Sequence, residues 1–278
     1  MTPLLSTDLP PVAASRAVTG WRHCLRIALS LAVLAWMLSP PAFAQSEGGD
    51  TLDQAKEYSD CLLLAKRAPD QAVESAVAWE KQGGGDPARH CKALGLIYMG
   101  QNEDGALELE RIAETMPQEK AKIAASLFAQ AAQAWIRADK PQMALHDQNE
   151  GLKLQPKDVD LLIDRAMTYG NASMYFESLE DLNAAADLDK DRPEIYTFRA
   201  AAYRHLQNPS MAMDNVEQAL KLQDDFAPAL LERGKLKQQK GDQDGARQDW
   251  LKVVRLVPNT PVADEAQRGL EQMDLKTQ

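Results

Sequence analysis

Arg165, Arg199 and Arg233 stand 34 residues apart. A guanidinium presents a rigid fork of donors that fits a carboxylate. Two uses follow. The three could line a groove and grip acidic groups of a ligand. They could instead pair within the chain with Asp181 and Asp249, and with Asp214 in the middle unit, since these acids recur near the same period. The internal pairing is favoured, and it would specify packing more than it adds stability. Other chemistry is thin. Gly83-Gly84-Gly85 lacks the preceding strand and the spacing of a phosphate loop. His90, His146 and His205 lie in separate segments with no nucleophile to serve. A hydrolase built on a groove carboxylate pair is the weakest alternative, because acids are abundant everywhere. The sequence therefore argues against an enzyme and against a cofactor. No metal site is expected, since there is no CxxC and His90 is the sole further ligand near Cys61 and Cys91.

The elements that would hold these residues share one period. Tyr169 and Tyr203 are 34 apart, with Trp135 one period earlier and Lys237 one later. A fixed period of this length marks stacked helix-turn-helix units. Apolar stripes predict helices over 52–66, 71–82, 88–99, 104–115, 120–137, 141–154, 159–169, 175–188, 194–205, 210–222, 227–239 and 244–256. A more polar helix over 261–273 would close the exposed end. Gly83 to Pro87 is the clearest break, with Asp86 placed to cap a helix and Pro87 to begin it. No stretch alternates long enough to need a strand. The expected fold is all-α: a right-handed superhelical solenoid of stacked antiparallel hairpins, about six repeats plus a C-terminal capping helix.

Within the units, small residues at Ala132, Ala166, Ala200 and Gly234 face Ala144, Ala212 and Ala246, with Ser178 in place of the alanine opposite Ala166. Phe128, Leu162, Tyr196 and Leu230 fill the seam beside them. The best unit runs Ala229, Leu230, Gly234, Gly241, Ala246, Trp250, Pro258. Leu94, Gly95, Tyr98 and Ala106 give a weaker copy. These residues resemble the tetratricopeptide repeat (TPR) family over roughly 88–258, with the clearest units at 125–258. Lys190, Asp224 and Lys237 depart from its usual residues. The resemblance implies a concave face of first helices that takes a peptide or a protein segment. By phase that groove would comprise Gln130, Gln133 and Arg137; Ile163, Met167 and Asn171; Thr197, Ala201, Arg204 and His205; and Leu231, Lys235, Gln238 and Gln239. It also favours the structural use of the arginines.

The first 44 residues look like an export signal. Arg16, Arg22 and Arg26 precede an apolar run of 12 from Ile27 to Leu38, then Pro40, Pro41 and Ala42-Phe43-Ala44. A flexible leader over 45–50 and the repeat domain over 51–278 would follow. Location is then the periplasm, with a retained inner-membrane anchor as the alternative. Without 1–44 the chain carries 28 Lys+Arg and 40 Asp+Glu. That balance argues against nucleic acid, and allows membrane contact only indirectly unless the first segment is retained. Export also bears on Cys61 and Cys91. Thirty residues apart, they would sit on neighbouring first helices and either form a disulfide or remain two buried thiols. The expected function is a monomeric, non-catalytic adaptor for another protein or peptide. A structural subunit of an envelope assembly, using convex or terminal surfaces, is the alternative.

Overall fold

The computed structural model describes residues 47–276, so the expected signal segment and its cleavage site lie outside the described residues. The helices are α1 Glu47–Arg67, α2 Pro69–Trp79, α3 Gly85–Tyr98, α4 Asn102–Thr115, α5 Ala121–Arg137, α6 Pro141–Leu154 and α7 Val159–Asn171. They continue with α8 Tyr175–Leu188, α9 Pro193–His205, α10 Pro209–Leu222, α11 Ala227–Lys240, α12 Gln243–Leu256 and α13 Pro261–Lys276. No strand occurs among the described residues. From α2 onward each helix packs on the next, and α9 and α11 also touch past α10. Cys61 and Ala65 of α1 pack with Ala72 and Ala76 of α2 and Cys91 of α3. Six hairpins and a terminal helix result, an all-α TPR-like solenoid.

Local chemistry sets the helix ends. Pro69, Pro141, Pro193 and Pro209 open helices, where the missing N–H costs nothing. Side chains of Asp158, Asn208 and Asp242 cap α7, α10 and α12 by accepting from Leu161, Met211 and Gly245 N–H. Asp86 makes no such cap. The chain kinks at Gly83, and its neighbour Gly84 lies against the Trp79 ring, so the break is packed rather than loose. α1 also begins at Glu47, taking in residues expected to form a leader. The turn inside each regular hairpin needs one left-handed residue. Gly241 fills it in the last unit with φ 91°, but Asp139, Ser173 and Gln207 fill it in the three before, at φ 57°, 61° and 58°.

The core is a row of clusters rather than one centre. Ala132, Ala166, Ala200 and Gly234 are all buried. A Cβ on Gly234 would lie 2.6 Å from Cδ1 of Trp250. The Trp250 indole N–H donates to the Leu231 carbonyl at 3.2 Å, which fixes the ring over that glycine. Ala266, Leu270 and Met273 of α13 cover Leu230, Trp250 and Val253, giving the last repeat the neighbour it lacks. At the other end Cys61 of α1 and Cys91 of α3 form a disulfide with Cα atoms 6.1 Å apart. Closing that loop contributes about 3–4 kcal/mol in the chain-entropy picture.

Two outcomes are expected. Gly234→Ala should lose ~1–3 kcal/mol by overpacking, measured by urea unfolding. Gln207→Gly should gain roughly 1 kcal/mol in the same assay, because a left-handed backbone costs a side-chain residue about that much.

Candidate binding groove and arginine ladder

The predicted groove residues lie on the first helices, in three different states of exposure. Gln133, Arg137, Met167, Asn171, His205 and Gln239 are exposed. Gln130, Ala201, Arg204, Lys235 and Gln238 are half-buried. Ile163, Thr197 and Leu231 are buried, which corrects their assignment as contact residues. Their phase turns them toward the adjoining unit. Ile163 joins the core of α6 to α9, Leu231 joins that of α11 to α13, and the Thr197 hydroxyl donates to the Pro193 carbonyl.

The C-terminal half of this face is tied by its own charges. Glu232 of α11 takes Arg204 of α9, and also Lys235, at 3.3 Å. Lys235 reaches Glu265 of α13 at 2.8 Å. His205 stacks on Tyr175 with centroids 4.7 Å apart. A hollow of about 740 Å³ remains in that half, lined by Arg204, Met213, Leu236 and Gln239 among others. In the N-terminal half the hollows are rimmed by exposed apolar side chains. Leu94, Ile97, Tyr98, Gln130, Gln133 and Arg137 line a hollow of about 470 Å³. A second hollow of about 260 Å³ shares Gln133 and Arg137 and adds Ile136, Met167 and Asn171. Tyr98, Ile136 and Met167 are 51%, 41% and 41% exposed, so apolar surface flanks the Arg137 guanidinium. No acid pairs with Arg137 among the described residues. Gln133 donates to Asp164 at 3.4 Å; burial pushes that carboxyl up, and the Gln133 bond opposes it.

In the weaker copy of the repeat Gly95 sits against Val73 of α2, and Tyr98 is exposed. Behind it, His90 bonds the Tyr58 hydroxyl at 2.6 Å and Gln130 at 3.0 Å. Burial lowers the His90 pKa, so the ring is neutral and Gln130 is held as part of the wall.

The arginines lie off this face, and two of the three pair inside. Arg165 clasps Asp181 through Nε and Nη2 at 2.8 and 2.6 Å, and reaches Asn149 at 2.7 Å. Arg233 clasps Asp249 at 2.9 and 2.6 Å, and Lys237 joins it at 2.8 Å. The hydrogen bonds that Arg165 and Arg233 donate to Asp181 and Asp249 raise both arginines further, against burial. Burial pushes the Asp249 carboxyl up, but its bonds to Arg233 and Lys237 outweigh this and hold it low. The pairing register is 16 residues, so the partner of Arg199 falls on Asn215, not on Asp214. Asn215 donates to the Met211 carbonyl at 2.8 Å, and the buried Arg199 Nε–H has no hydrogen-bond partner. Leaving such a donor bare costs ~1–3 kcal/mol.

One rung earlier the defect is reversed. Asp147 occupies the acid position, and Ala131 stands where the arginine would be. The Asp147 carboxyl is fully buried. Burial first, and then the Glu110 carboxylate on α4, push it up to about 8. The Trp135 indole donates to Glu110 at 2.6 Å. A second cluster is compensated: Glu108 is buried but meets Arg89, Lys92 and Arg111, whose bonds and charges overcome burial and lower its pKa.

The unfolded Asp147 titrates near ~3.9. The folded form therefore holds a proton that the unfolded chain has lost, and stability falls as pH rises through about 8. Asp147→Asn should flatten the fall in melting temperature between pH 5 and 9. At the alkaline end it should melt higher than the parent by a few degrees, on the order of 1–2 kcal/mol.

No family model matches the chain. Among curated proteins it is similar to DnaJ homolog subfamily C member 3 of Homo sapiens, 30% identical over 103 residues. That match covers 37% of this chain and only 20% of the relative's length. Among solved structures, YrrB, described as a TPR protein with an unusual peptide-binding site, is 17% identical with a TM-score of 0.52, covering 66% of this chain and 95% of YrrB. The C-terminal part of a TPR repeat-containing protein from Cytophaga hutchinsonii is 14% identical with a TM-score of 0.57, covering 71% and 78%. At these identities the structures speak for the fold. They agree with the 34-residue spacing of small and large residues in the seam, and the chain folds as a tetratricopeptide-repeat solenoid.

Proposed function

We propose that this protein is a non-catalytic interaction adaptor that holds an extended peptide, or an unstructured tail of another protein, in the N-terminal half of its concave face. The observation that carries this is the contrast along the face. Tyr98, Ile136 and Met167 are exposed around an Arg137 that no acid engages among the described residues, and the amides of Gln133 and Asn171 stand beside it. Apolar spots between amides suit a peptide whose side chains need pockets and whose backbone needs partners. The Arg204–Glu232–Lys235–Glu265 chain spends the polar groups of the other half on one another. YrrB, with its peptide-binding site, supports the class of ligand. The groove residues are Gln133, Arg137, Met167 and Asn171 at the centre, with Gln130 as wall; His205, Gln238 and Gln239 extend the face beyond it.

The proposed site of action is the periplasm, reached through the N-terminal export signal. The Cys61–Cys91 disulfide supports an oxidising compartment. No helix among the described residues is long and apolar enough to cross a membrane. A role as a subunit of an envelope assembly has its own observation: Phe176 on α8 is 71% exposed.

Selection of displayed random peptides on the purified protein tests the groove. Selected peptides should bind Met167→Ala or Arg137→Ala about tenfold more weakly, a loss of ~1.4 kcal/mol, while Phe176→Ala binds as the parent does. Equal binding by the two groove variants, or a loss confined to Phe176→Ala, would place the contact elsewhere.

A further inference from the structure

Where the turn of one hairpin meets the first helix of the next, three successive corners are closed in three ways. At the corner of α8 and α9, Tyr175, the first residue of α8, lays its ring on the His205 imidazole, with centroids 4.7 Å apart and planes 9° from parallel. At the corner of α12 and α13, Arg247 reaches across to Asp274 in an ion pair. The corner of α10 and α11 between them has neither device. One period after Tyr175 and His205 stand Pro209, the first residue of α10, and Gln239 of α11. One period before Arg247 and Asp274 stand Met213 and Lys240, a thioether and an ammonium that form no ion pair. The hollow of about 740 Å³ lies at this corner. Pro209, Met213 and Leu236 give it apolar walls, and Arg204, Lys240 and Asp214 bring charge to it. Pro209, Asp214, Gln239 and Lys240 are exposed, so the hollow opens to the surface.

We propose that this hollow receives an aromatic side chain of a partner polypeptide, which takes the place that Tyr175 fills one repeat earlier. The protein supplies the fit from its own fold: the corner that carries a tyrosine is closed by a stacked ring, and the corner that carries a proline is left as a cavity. Gln239 offers a flat amide where His205 offers a flat ring. Cations beside the cavity attract the face of a ring through its quadrupole. Arg204 and Lys240 set against Asp214 favour an uncharged ring over an anion. A cavity of several hundred Å³ holds more than one ring, which suits a side chain together with the backbone that carries it. The exposed amides of Gln207 and Gln239 are placed on its lining to bond that backbone. The site uses none of the residues at the centre of the N-terminal groove, so it stands or falls apart from that reading.

The test uses the full chain labelled with ¹³C at the methionine methyl groups, followed by NMR. The peptides acetyl-Ala-Tyr-Ala-amide and acetyl-Ala-Leu-Ala-amide, and the bare phenol p-cresol, are titrated in turn. The tyrosine peptide should move the Met213 methyl resonance upfield and saturably, as a ring lying against that methyl does, and the leucine peptide should leave it in place. Half-saturation with p-cresol should need about tenfold more ligand, because it lacks a backbone to bond. The double variant Pro209→Tyr, Gln239→His carries the preceding corner's ring pair into the hollow. It should melt higher than the parent and lose the response to the tyrosine peptide. Should it fail to fold, Gln239→Trp, on the exposed end of α11, fills the hollow in its place. A Met213 methyl unmoved by the tyrosine peptide, moved equally by the leucine peptide, or moved equally in the filled variant would overturn the proposal. Half-saturation by p-cresol at the same or lower concentration would overturn its assignment to a polypeptide. The Met167 methyl reports the N-terminal groove separately, so the failure of one site is distinguished from failure of the other.

Discussion

Close approach of two helices at a small side chain is the constraint on which the rest of this protein depends. Gly234 lets the Trp250 ring lie flat on α11, and the same place is Ala200, Ala166 and Ala132 in the units before it. A hairpin closed in this way still leaves one apolar flank bare. The next hairpin must cover it, so the units stack and the core becomes a row of clusters. Stacking in turn turns the exposed sides of α5 and α7 to one face, which is how Arg137 and Met167 come to line adjoining hollows despite lying a repeat apart. The two ends need other remedies. Apolar residues of α13 cover one, and a covalent link between α1 and α3 ties down the other.

Polar groups inside the stack follow the same period, and there the repeats are unequal. Arg165–Asp181 and Arg233–Asp249 are complete rungs; Asp147 and Arg199 are half-rungs of opposite sign. A complete buried pair contributes little net stability, but half of one is costly, because its desolvation is not offset. The chain resolves the acidic half by keeping a proton on Asp147 beside Glu110. No such escape exists for an arginine, which stays charged. Physical asymmetry between the two defects is thus the reason one behaves as a titrating core residue and the other stays a charged donor without a partner carboxylate.

Much of this was legible in the residues. Helices repeat, so their small and large positions reinforce each other across units, and Ala144, Ala212 and Ala246 could be placed without coordinates. Groove depth was harder. Ile163, Thr197 and Leu231 share a face with Met167 and Arg137 on any helical wheel, and only the tilt of the adjoining hairpin decides that they are covered. The pairing of the middle arginine failed by a single residue: Asp214 is charged and near, but the register set by the other two rungs points to Asn215. The left-handed turn residues Asp139, Ser173 and Gln207 were readable by stepping back 34 residues from Gly241, although serine and glutamine are not types that usually signal such a turn.

Native-state hydrogen exchange resolved by mass spectrometry examines the stacking most directly. Stacked units predict graded protection: slowest exchange in helices around Ala132, Ala166 and Ala200, and faster exchange, unit by unit, toward α13. Uniform protection along the chain with one common opening free energy would contradict it, because a single cooperative core has no reason to open from its ends.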